Sequence, residues 1–339
     1  MKASLLAYLQ CPSCGGALRC EPHATEGAEI VAGTLRCAGC GTDAPILRGV
    51  PRFVPSRLAP DVKRTVEGFG YEWTTFFDDI TTSYMASEEL LSDFIRPVTL
   101  DFFRDKVVLD AGCGMGRFTR IAAAAGARDV IAVDLSDAVD AAYRHTRGMP
   151  NAHVVQADLF RLPLRPCIDY AFSLGVVCRT AAPPEAFRSL VRVLHPDGAV
   201  SVWVCARENN GWVIYLVNPV RRITCRLPRR ALLGLSHVLG AALFVVLKTL
   251  YAREHPLRRA LPYREYLTFT SRLGFRELTS VIFDHLVPQI SHYIRGEEFE
   301  RWFREAGLAD VVISLRNGNS WRGFGRAATA CQPASLPVR

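Results

Sequence analysis

Short apolar runs alternate with helical patterns through the middle of the chain. Five runs rich in β-branched and aromatic residues lie at 107–109, 130–133, 153–155, 169–172 and 199–204. Between them, apolar residues recur at helical spacing, most clearly at Phe187, Leu190, Val191 and Leu194. Alternating strands and helices are typical of an α/β fold with a parallel, doubly wound sheet. The pattern therefore predicts such a sheet between residues 106 and 204.

The first 55 residues differ from the rest in their cysteine pattern. Two C-x-x-C pairs, Cys11 with Cys14 and Cys37 with Cys40, are each followed by a glycine. Four thiolates at this spacing are typical of a tetrahedral zinc site, which is structural because it has no open position. A module of about 50 residues has too small a core to fold on burial alone. We therefore predict a zinc ribbon at 1–55 with a structural Zn²⁺ bound by the four cysteines.

Composition excludes a disordered polymer and shows where the positive charge lies. Apolar residues make up 49% of the chain and charged residues 22%, a balance typical of a folded protein. The net charge is +8, and ten Lys or Arg against two acids between 221 and 265 give the same excess. A basic region this local indicates a local anionic partner, not a surface that coats nucleic acid. The apolar stretch within 1–9 is too short for a secretion signal, so we expect a cytoplasmic protein with reduced cysteines.

A glycine-rich turn follows the first predicted strand. It runs from Asp110 through Gly112 and Gly114 to Gly116. A dinucleotide-binding turn of the G-x-G-x-x-G type would need a further glycine where this chain has Arg117. An acid at the start of the turn instead favours a cationic or amine-bearing ligand, and the glycines let backbone approach it closely. The turn therefore predicts a nucleotide-type cofactor that carries an amine.

Acids also follow the second and third predicted strands. Asp134 lies 24 residues after Asp110, close to the distance at which an acid meets a ribose diol in doubly wound folds. Asp158 follows the third strand, where it is placed to accept a hydrogen bond from an adenine amino group. With the glycine turn, these acids predict a site for an adenosine-containing cofactor at the carboxyl edge of the sheet.

The order and spacing of five motifs resemble class I S-adenosylmethionine-dependent methyltransferases of the type 11 group. The motifs lie at 108–116, 133–136, 156–158, 169–176 and 187–198. The resemblance implies a Rossmann-like sheet of seven strands with S-adenosylmethionine as cofactor, and the N-terminal module is similar to zinc-ribbon proteins that partner tRNA and rRNA methyltransferases. It also implies these cofactor-binding residues: Asp110, Gly112, Gly114, Gly116, Asp134, Leu135, Asp158, Leu159, Leu174 and Tyr71.

The chain departs from the family pattern in two places. Many relatives carry two histidines after the fourth motif, where this chain has Cys178 and Arg179, so no role based on those histidines is carried over. The family's last helix and two strands follow strand five directly, whereas here they appear only at 297–325. The predicted division is a bridging segment at 56–105, a methyltransferase domain at 106–327 with a substrate-selecting helical insertion at 206–295, and a flexible tail at 328–339.

The insertion contains one long apolar stretch at 231–251, about the length that spans a bilayer. Because the chain must return to the same sheet and has no second such stretch, we expect either a helix in the membrane interface or a lid over the substrate pocket. Peripheral membrane contact through 221–265 is favoured by flanking arginines. These are Arg221, Arg222, Arg226, Arg229, Arg230, Arg253, Arg258 and Arg259.

Candidate catalytic groups lie just before the predicted closing helix. In similar methyltransferases an Asp-x-x-x-Pro-x-x-x-His pattern precedes this helix, and Asp284, Pro288 and His292 match it. A hydroxyl nucleophile benefits from a general base, so Asp284, His285 and His292 are the candidates. The alternative is that these histidines merely pack or cap the helix.

The predicted function is methylation of an oxygen or nitrogen on a small-molecule or lipid-linked acceptor. The alternative is an RNA methyltransferase that uses the zinc ribbon for recognition. Residues 1–36 argue against nucleic acid as a partner, because three basic residues are balanced by three acids. The identity of the acceptor and the oligomeric state do not follow from the sequence.

Overall fold

The computed structural model describes residues 1–252 and 260–328. Within this part of the chain, eleven β-strands hydrogen-bond in the order β1-β2-β3-β4-β7-β6-β5-β8-β9-β11-β10. Numbered in chain order, the strands are β1 (Leu18–Glu26), β2 (Glu29–Cys37), β3 (Asp43–Leu47), β4 (Val50–Phe53), β5 (Val107–Ala111), β6 (Asp129–Asp134), β7 (Ala152–Ala157), β8 (Ile168–Leu174), β9 (Leu194–Cys205), β10 (Leu308–Arg316) and β11 (Ser320–Ala327).

The doubly wound sheet occupies the seven strands from β7 to β10 in this order. Strands β5 to β9 pair in parallel, and β11 pairs antiparallel with both β9 and β10. Every residue of β5 is buried, as expected for a parallel strand covered by helices on both faces. The predicted doubly wound α/β fold is confirmed.

The ribbon continues the main sheet through its last strand. Strand β4 pairs antiparallel with β3 and parallel with β7, where Phe53 lies opposite Ala157. The seven predicted strands are therefore present, and the ribbon extends them to a continuous hydrogen-bonded sheet of eleven strands in the described residues. A four-residue strand is too short to show an alternating pattern, and its pairing depends on the free edge of β7, which only the folded sheet provides.

The ribbon and the main sheet share one hydrophobic core. Met1, Leu5 and Leu9 are buried in the same cluster as the central strands. The amino group of Met1 donates to the Ile30 carbonyl (2.7 Å), and Leu9 forms a β-bridge with Leu164. The ribbon is thus packed against the catalytic sheet by side chains as well as by strand pairing.

Eleven α-helices, numbered α1 to α11 within the described residues, cover the sheet and its carboxyl edge. They are α1 (Pro60–Thr75), α2 (Phe77–Thr81), α3 (Glu88–Phe94), α4 (Arg117–Ala124), α5 (Val139–Thr146), α6 (Pro183–Arg192), α7 (Asn218–Thr224), α8 (Arg229–Val246), α9 (Arg264–Thr270), α10 (Phe275–Leu286) and α11 (Gly296–Glu305). Short 3₁₀ turns lie at Ala3–Ala7, Tyr84–Ala86, Leu100–Phe103, Leu159–Arg161 and Val177–Arg179. Two π-helical turns, Val213–Val217 and Leu247–Tyr251, precede α7 and follow α8.

The insertion leaves and rejoins the sheet at one place. Ala206 and Ile294 form a parallel β-bridge, and the Arg207 N–H donates to the Ile294 carbonyl (2.8 Å). Between these points, α8 packs on α10, where the absence of a side chain at Gly240 lets Thr279 approach. The two ends of the insertion are therefore joined beside the sheet, and the insertion carries α7 to α10 over the carboxyl edge of the sheet.

Two of the sequence expectations fall outside the described residues. Arg253, Arg258 and Arg259 of the flanking arginines belong to 253–259, and the flexible tail falls on 329–339 except for its first residue.

Candidate active site

The glycine turn after β5 has a left-handed backbone that a side chain would disturb. Gly112, Gly114 and Gly116 have φ angles of +86°, +54° and +78°. A Cβ atom on Gly112 would lie 2.3 Å from a methyl carbon of Val176, and one on Gly114 would lie 3.1 Å from Trp73 Nε1. Both the turn and the close neighbours therefore require glycine.

Asp134, at the end of β6, holds this turn in place. Its Oδ2 accepts a hydrogen bond from the Gly114 N–H (2.9 Å). Its Oδ1 accepts from the N–H and the hydroxyl of Ser136 (2.8 and 2.7 Å). Burial raises the pKa of Asp134. Asp134 thus joins the glycine turn to the loop after β6 at one edge of the sheet.

The other two predicted acids lie at the same edge. Asp110 is buried and accepts a hydrogen bond from the Thr119 hydroxyl (2.6 Å). Burial raises the pKa of Asp110 to about 7, so a cationic group beside it would favour its carboxylate form. Asp158 accepts a hydrogen bond from the Phe160 N–H (3.0 Å).

One cavity of about 740 Å³ joins these acids to the insertion. That volume lies within the range of about 300–1,000 Å³ typical of ligand pockets. Apolar side chains line it from several elements, for example Phe69 of α1, Phe94 of α3, and Phe269 and Leu273 of the insertion. The predicted site residues in its lining are Asp110, Gly112, Gly114, Asp134, Leu135, Asp158, Leu159, Leu174, Asp284 and His285.

Three predicted site residues lie outside the cavity lining. Gly116 is the N-cap residue of α4. The ring of Tyr71 packs on Phe283, with 5.9 Å between ring centroids. The N–H of His292 donates to the Cys178 carbonyl (2.8 Å), and its half-buried side chain is not part of the cavity wall. The structure therefore brings Asp284 and His285 to the cavity but not the histidine of the family pattern.

Glu72 and Trp73 line the cavity in place of Tyr71. Successive residues of a helix point about 100° apart, so neighbours on α1 contact different partners. Glu72 is only 1% exposed, and its Oε1 accepts a hydrogen bond from the Ser280 hydroxyl (2.9 Å). Burial raises the pKa of Glu72 well above its ordinary value. The sequence shows an aromatic segment here, but it does not show which residue faces the cavity.

Arg117 is a partly buried cation beside the glycine turn. It donates to the Met85 carbonyl (2.9 Å), and its guanidinium lies over the rings of Trp73 and Phe118, 5.2 and 4.4 Å from their centroids. Burial lowers the pKa of Arg117 to about 10, so it stays charged at neutral pH. In the sequence, Arg117 indicates only that the turn is not a dinucleotide-binding turn of the G-x-G-x-x-G type, and its role at the cavity is not evident there.

At the insertion end of the cavity, Asp284 is held by an arginine. Arg179 lies 3.2 Å from its Oδ2 and also donates to the Ser291 hydroxyl (2.6 Å). Arg179 occupies the place where many relatives carry a histidine. The Asp284 carboxylate is therefore paired with a cation at this end of the cavity.

His285 lies next to this pair with one ring nitrogen unpartnered. Its Nε2 is 3.4 Å from the Tyr266 hydroxyl, and its Nδ1 has no hydrogen-bond partner among the described residues. Burial lowers the pKa of His285 to about 4, so the imidazole is neutral at physiological pH. Arg221 fixes the backbone, because it donates to the His285 carbonyl (2.6 Å) and to the Tyr293 hydroxyl (2.9 Å).

The four cysteines of the two C-x-x-C pairs converge in the ribbon. Their sulfur atoms all lie within 4.8 Å of one another, with 3.6 Å between Cys11 and Cys40 and 3.4 Å between Cys14 and Cys37. Zn–S bonds of about 2.3 Å in a tetrahedron put sulfurs about 3.8 Å apart. The donor set and its spacing therefore fit a Zn²⁺ ion.

Residues 109–202 match the family model of the methyltransferase domain. Over 67 residues the chain is 40% identical to protein arginine N-methyltransferase 1 of Saccharomyces cerevisiae. The aligned segment covers 17% of this chain and 19% of that protein. Over 99 residues it is 30% identical to tRNA U34 carboxymethyltransferase of Ruthia magnifica. That aligned segment covers 28% of this chain and 31% of that protein. The chain thus spans a fifth to a third of the length of these curated relatives.

The fold is also similar to solved structures at low sequence identity. A SAM-dependent methyltransferase from Aquifex aeolicus aligns with 13% identity and a TM-score of 0.38 over 71% of this chain and 98% of that one. The family model matches only residues 109–202, and the two curated relatives differ in the acceptor that their names state. The comparisons therefore match this segment to a methyltransferase domain and do not distinguish between acceptors.

Proposed function

We propose that this chain, which carries a class I S-adenosylmethionine-dependent methyltransferase domain, methylates an oxygen or nitrogen of an amphiphilic acceptor. The observation that carries the proposal is the single cavity that runs from the glycine turn to the insertion. One end has the acids expected around an adenosine-containing cofactor, and the insertion end combines apolar side chains such as Phe269 and Leu273 with Arg179, Asp284 and the partly buried His285. An acceptor with an apolar body and a polar head fits that second end.

The residues at the sheet edge fit S-adenosylmethionine. Asp134 and Asp158 offer carboxylate oxygens for hydroxyl and amino donors, and Asp110 offers one for an ammonium group. Arg117 is placed to bind a carboxylate, and Trp73 covers the glycine turn at Gly114. Bound S-adenosylmethionine supplies an electrophilic methyl group on its sulfonium. These side chains orient the cofactor and exclude water, which is most of what a direct displacement requires.

The insertion end of the cavity suits the acceptor. In the tautomer that carries its proton on Nε2, His285 offers a lone pair on Nδ1 for the proton of an acceptor hydroxyl or ammonium group. Tyr266 orients the ring through Nε2, and burial raises the pKa of Tyr266 to about 12, so its hydroxyl stays neutral. Asp284 is occupied by Arg179, which favours His285 over Asp284 as the base.

A labelled-cofactor screen tests the acceptor class. The purified protein is incubated with S-adenosylmethionine carrying a labelled methyl group and, in separate reactions, with lipid extract, RNA and pools of water-soluble metabolites. We expect label in the organic phase of the lipid reaction. Label confined to RNA or to water-soluble products would contradict the amphiphilic acceptor.

Replacing His285 by glutamine should lower kcat by about 10²-fold, the low end of the usual contribution of a general base, because a pKa of about 4 makes this imidazole a weak base at neutral pH. Cofactor affinity should not change, because His285 lies at the insertion end of the cavity. The matched control is His292→Gln, which removes a histidine that lies outside the cavity. A kcat that falls with His292→Gln and not with His285→Gln would assign the base to the family pattern instead.

The dependence of kcat on pH tests the same assignment of His285 as the base. Because the pKa of His285 is about 4, its neutral form persists as pH falls from 8 to about 5.5. An ordinary histidine, with a pKa near 6.5, would lose about tenfold of its neutral form over that range. We therefore expect kcat to be flat across this interval, and an acid limb near pH 6.5 would contradict the assignment.

We also infer that the ribbon binds one structural Zn²⁺ through Cys11, Cys14, Cys37 and Cys40. The convergence of the four thiols supports a metal role over free thiols. A role in RNA recognition has less support, because three of the ribbon's four arginines, Arg36, Arg48 and Arg52, are paired with acids. Arg36 pairs with Asp43, and Arg48 pairs with an acid of α5.

A further inference from the structure

The insertion carries an apolar surface that the rest of the described chain does not cover. Sixteen large apolar side chains are exposed in the described residues, and eleven of them lie between 212 and 250. We call these eleven the insertion surface. They are Trp212, Tyr215, Leu216, Val220, Ile223, Leu227, Val238, Leu239, Val245, Val246 and Leu250.

Helix α8 shows that this exposure belongs to one face. Leu232, Ser236 and Gly240 are buried against the protein, whereas Val238 and Val245 are 69% and 61% exposed. The segment Arg229–Tyr251 is long and apolar enough to cross a membrane by length and composition, with a mean hydropathy of 1.9 and only 22% of its most apolar window buried. The core helix of a water-soluble domain is mostly buried, so packing within this chain does not account for the apolar face.

The charge around the insertion surface has one sign. The sequence contains no aspartate or glutamate from residue 209 to residue 252. Arg222, Arg226 and Arg230 are exposed and form no ion pair with the described residues. Arg221 is buried and supports His285, and Arg229 pairs with Glu67 (2.8 Å). All eight flanking arginines were expected to face an anionic partner. Among the described residues, only Arg222, Arg226 and Arg230 are free to do so.

We propose that the insertion surface docks on an anionic lipid bilayer. Its apolar side chains enter the interface, and Arg222, Arg226 and Arg230 contact lipid phosphates. Charge complementarity selects this partner, because exposed arginines beside exposed apolar groups, with no acids among them, match an anionic headgroup layer. A second copy of the chain fits less well, since a two-fold contact would bring the arginines of both copies together.

The geometry favours peripheral docking over a transmembrane crossing. The insertion leaves the sheet at Ala206 and returns beside it at Ile294, and its one apolar helix packs on α10 along the buried face. Val213 lines the cavity, while its neighbours Trp212 and Tyr215 belong to the insertion surface. The first π-turn therefore separates the cavity from the proposed membrane face. Docking deepens the proposed function, because an amphiphilic acceptor would be drawn from the same bilayer.

Vesicle flotation tests the docking without any methyl transfer, so its failure and the failure of the proposed function are distinguishable. The full-length protein is mixed with vesicles of phosphatidylcholine alone or with an equal part of phosphatidylglycerol. We expect flotation with the anionic vesicles in about 0.1 M salt and release in about 1 M salt, where the Debye length falls from about 10 to about 3 Å. Flotation with neither composition would overturn the proposal.

Two variants resolve the contribution of charge. Arg222→Gln, Arg226→Gln and Arg230→Gln combined should weaken partitioning about a hundredfold, roughly fivefold for each arginine. The matched control removes three exposed arginines outside the insertion, Arg188, Arg192 and Arg301, and should float like the unaltered protein. Equal losses in both variants would overturn specific docking by the insertion surface.

A third variant tests the apolar face. Ile223→Ser, Val238→Ser and Val245→Ser combined should reduce flotation while cofactor affinity reports that the sheet is intact. Two other results would overturn the proposal. One is a concentration-dependent dimer in sedimentation that this variant abolishes, without flotation. The other is resistance of the membrane-bound protein to alkaline carbonate, which would indicate a transmembrane segment.

Discussion

Replacing Cys37 by serine should release the metal and destabilise the whole protein, by more than about 4 kcal/mol in the free energy of unfolding. Loss of a structural metal is among the few single changes that reach this size, because zinc binding supplies much of the folding free energy of such modules. The effect should spread beyond the ribbon, since Leu5 and Leu9 belong to the core of the main sheet. Urea unfolding and elemental analysis measure the two consequences together.

The control is Cys20→Ser, which removes a partly exposed cysteine of β1 that is not in the four-sulfur cluster. It should leave one equivalent of zinc and the unfolding midpoint unchanged. Purified protein that contains no metal and is equally stable in strong chelator would show that the ribbon holds itself together without zinc.

Replacing Asp134 by alanine should weaken cofactor binding by one to two decades. Ligand hydroxyls left unpaired in a buried site cost about 1–3 kcal/mol. The structure adds a second reason, because Asp134 also anchors the glycine turn through the Gly114 N–H. Calorimetry with S-adenosylmethionine and with S-adenosylhomocysteine measures the loss directly.

The companion variant Asp137→Ala removes an acid from the same loop that does not line the cavity. Its carboxylate is 83% exposed, so cofactor affinity should change little. If a folded Asp134→Ala protein bound the cofactor as tightly as the unaltered chain, Asp134 would have no role in the site.

The parts that the sequence predicted are those with local signals. Alternating apolar runs identify β5 to β9 because each parallel strand is buried along its own length. Asp110, Asp134 and Asp158 were found because each lies at the carboxyl end of a strand or directly after it, and the carboxyl ends of parallel strands share one edge. The cysteine pairs were found for a similar reason, because the two cysteines of each C-x-x-C pair lie within four residues of sequence.

The parts that sequence reasoning missed depend on long-range contacts. Glu72 becomes a cavity residue only because α1 meets α10, where Ser280 donates to it. Arg221 was interpreted as a surface residue, but it is buried against the His285 carbonyl, 64 residues away in sequence. Tyr266 reaches the cavity through the packing of α9. No pattern within a window of sequence reports such pairings, because they follow from how the insertion folds back on the sheet.

The pairing of β4 with β7 also protects the protein from aggregation. Without β4, the backbone groups of β7 that now pair with Arg52 and Phe53 would form an open strand edge, which is a template for association with other chains. A fragment of this chain that starts after Phe53 would expose that edge and also lose the apolar contacts of the ribbon. We therefore expect the main sheet to stay soluble only when it is produced together with its ribbon, because the four-cysteine module also covers the edge of that sheet.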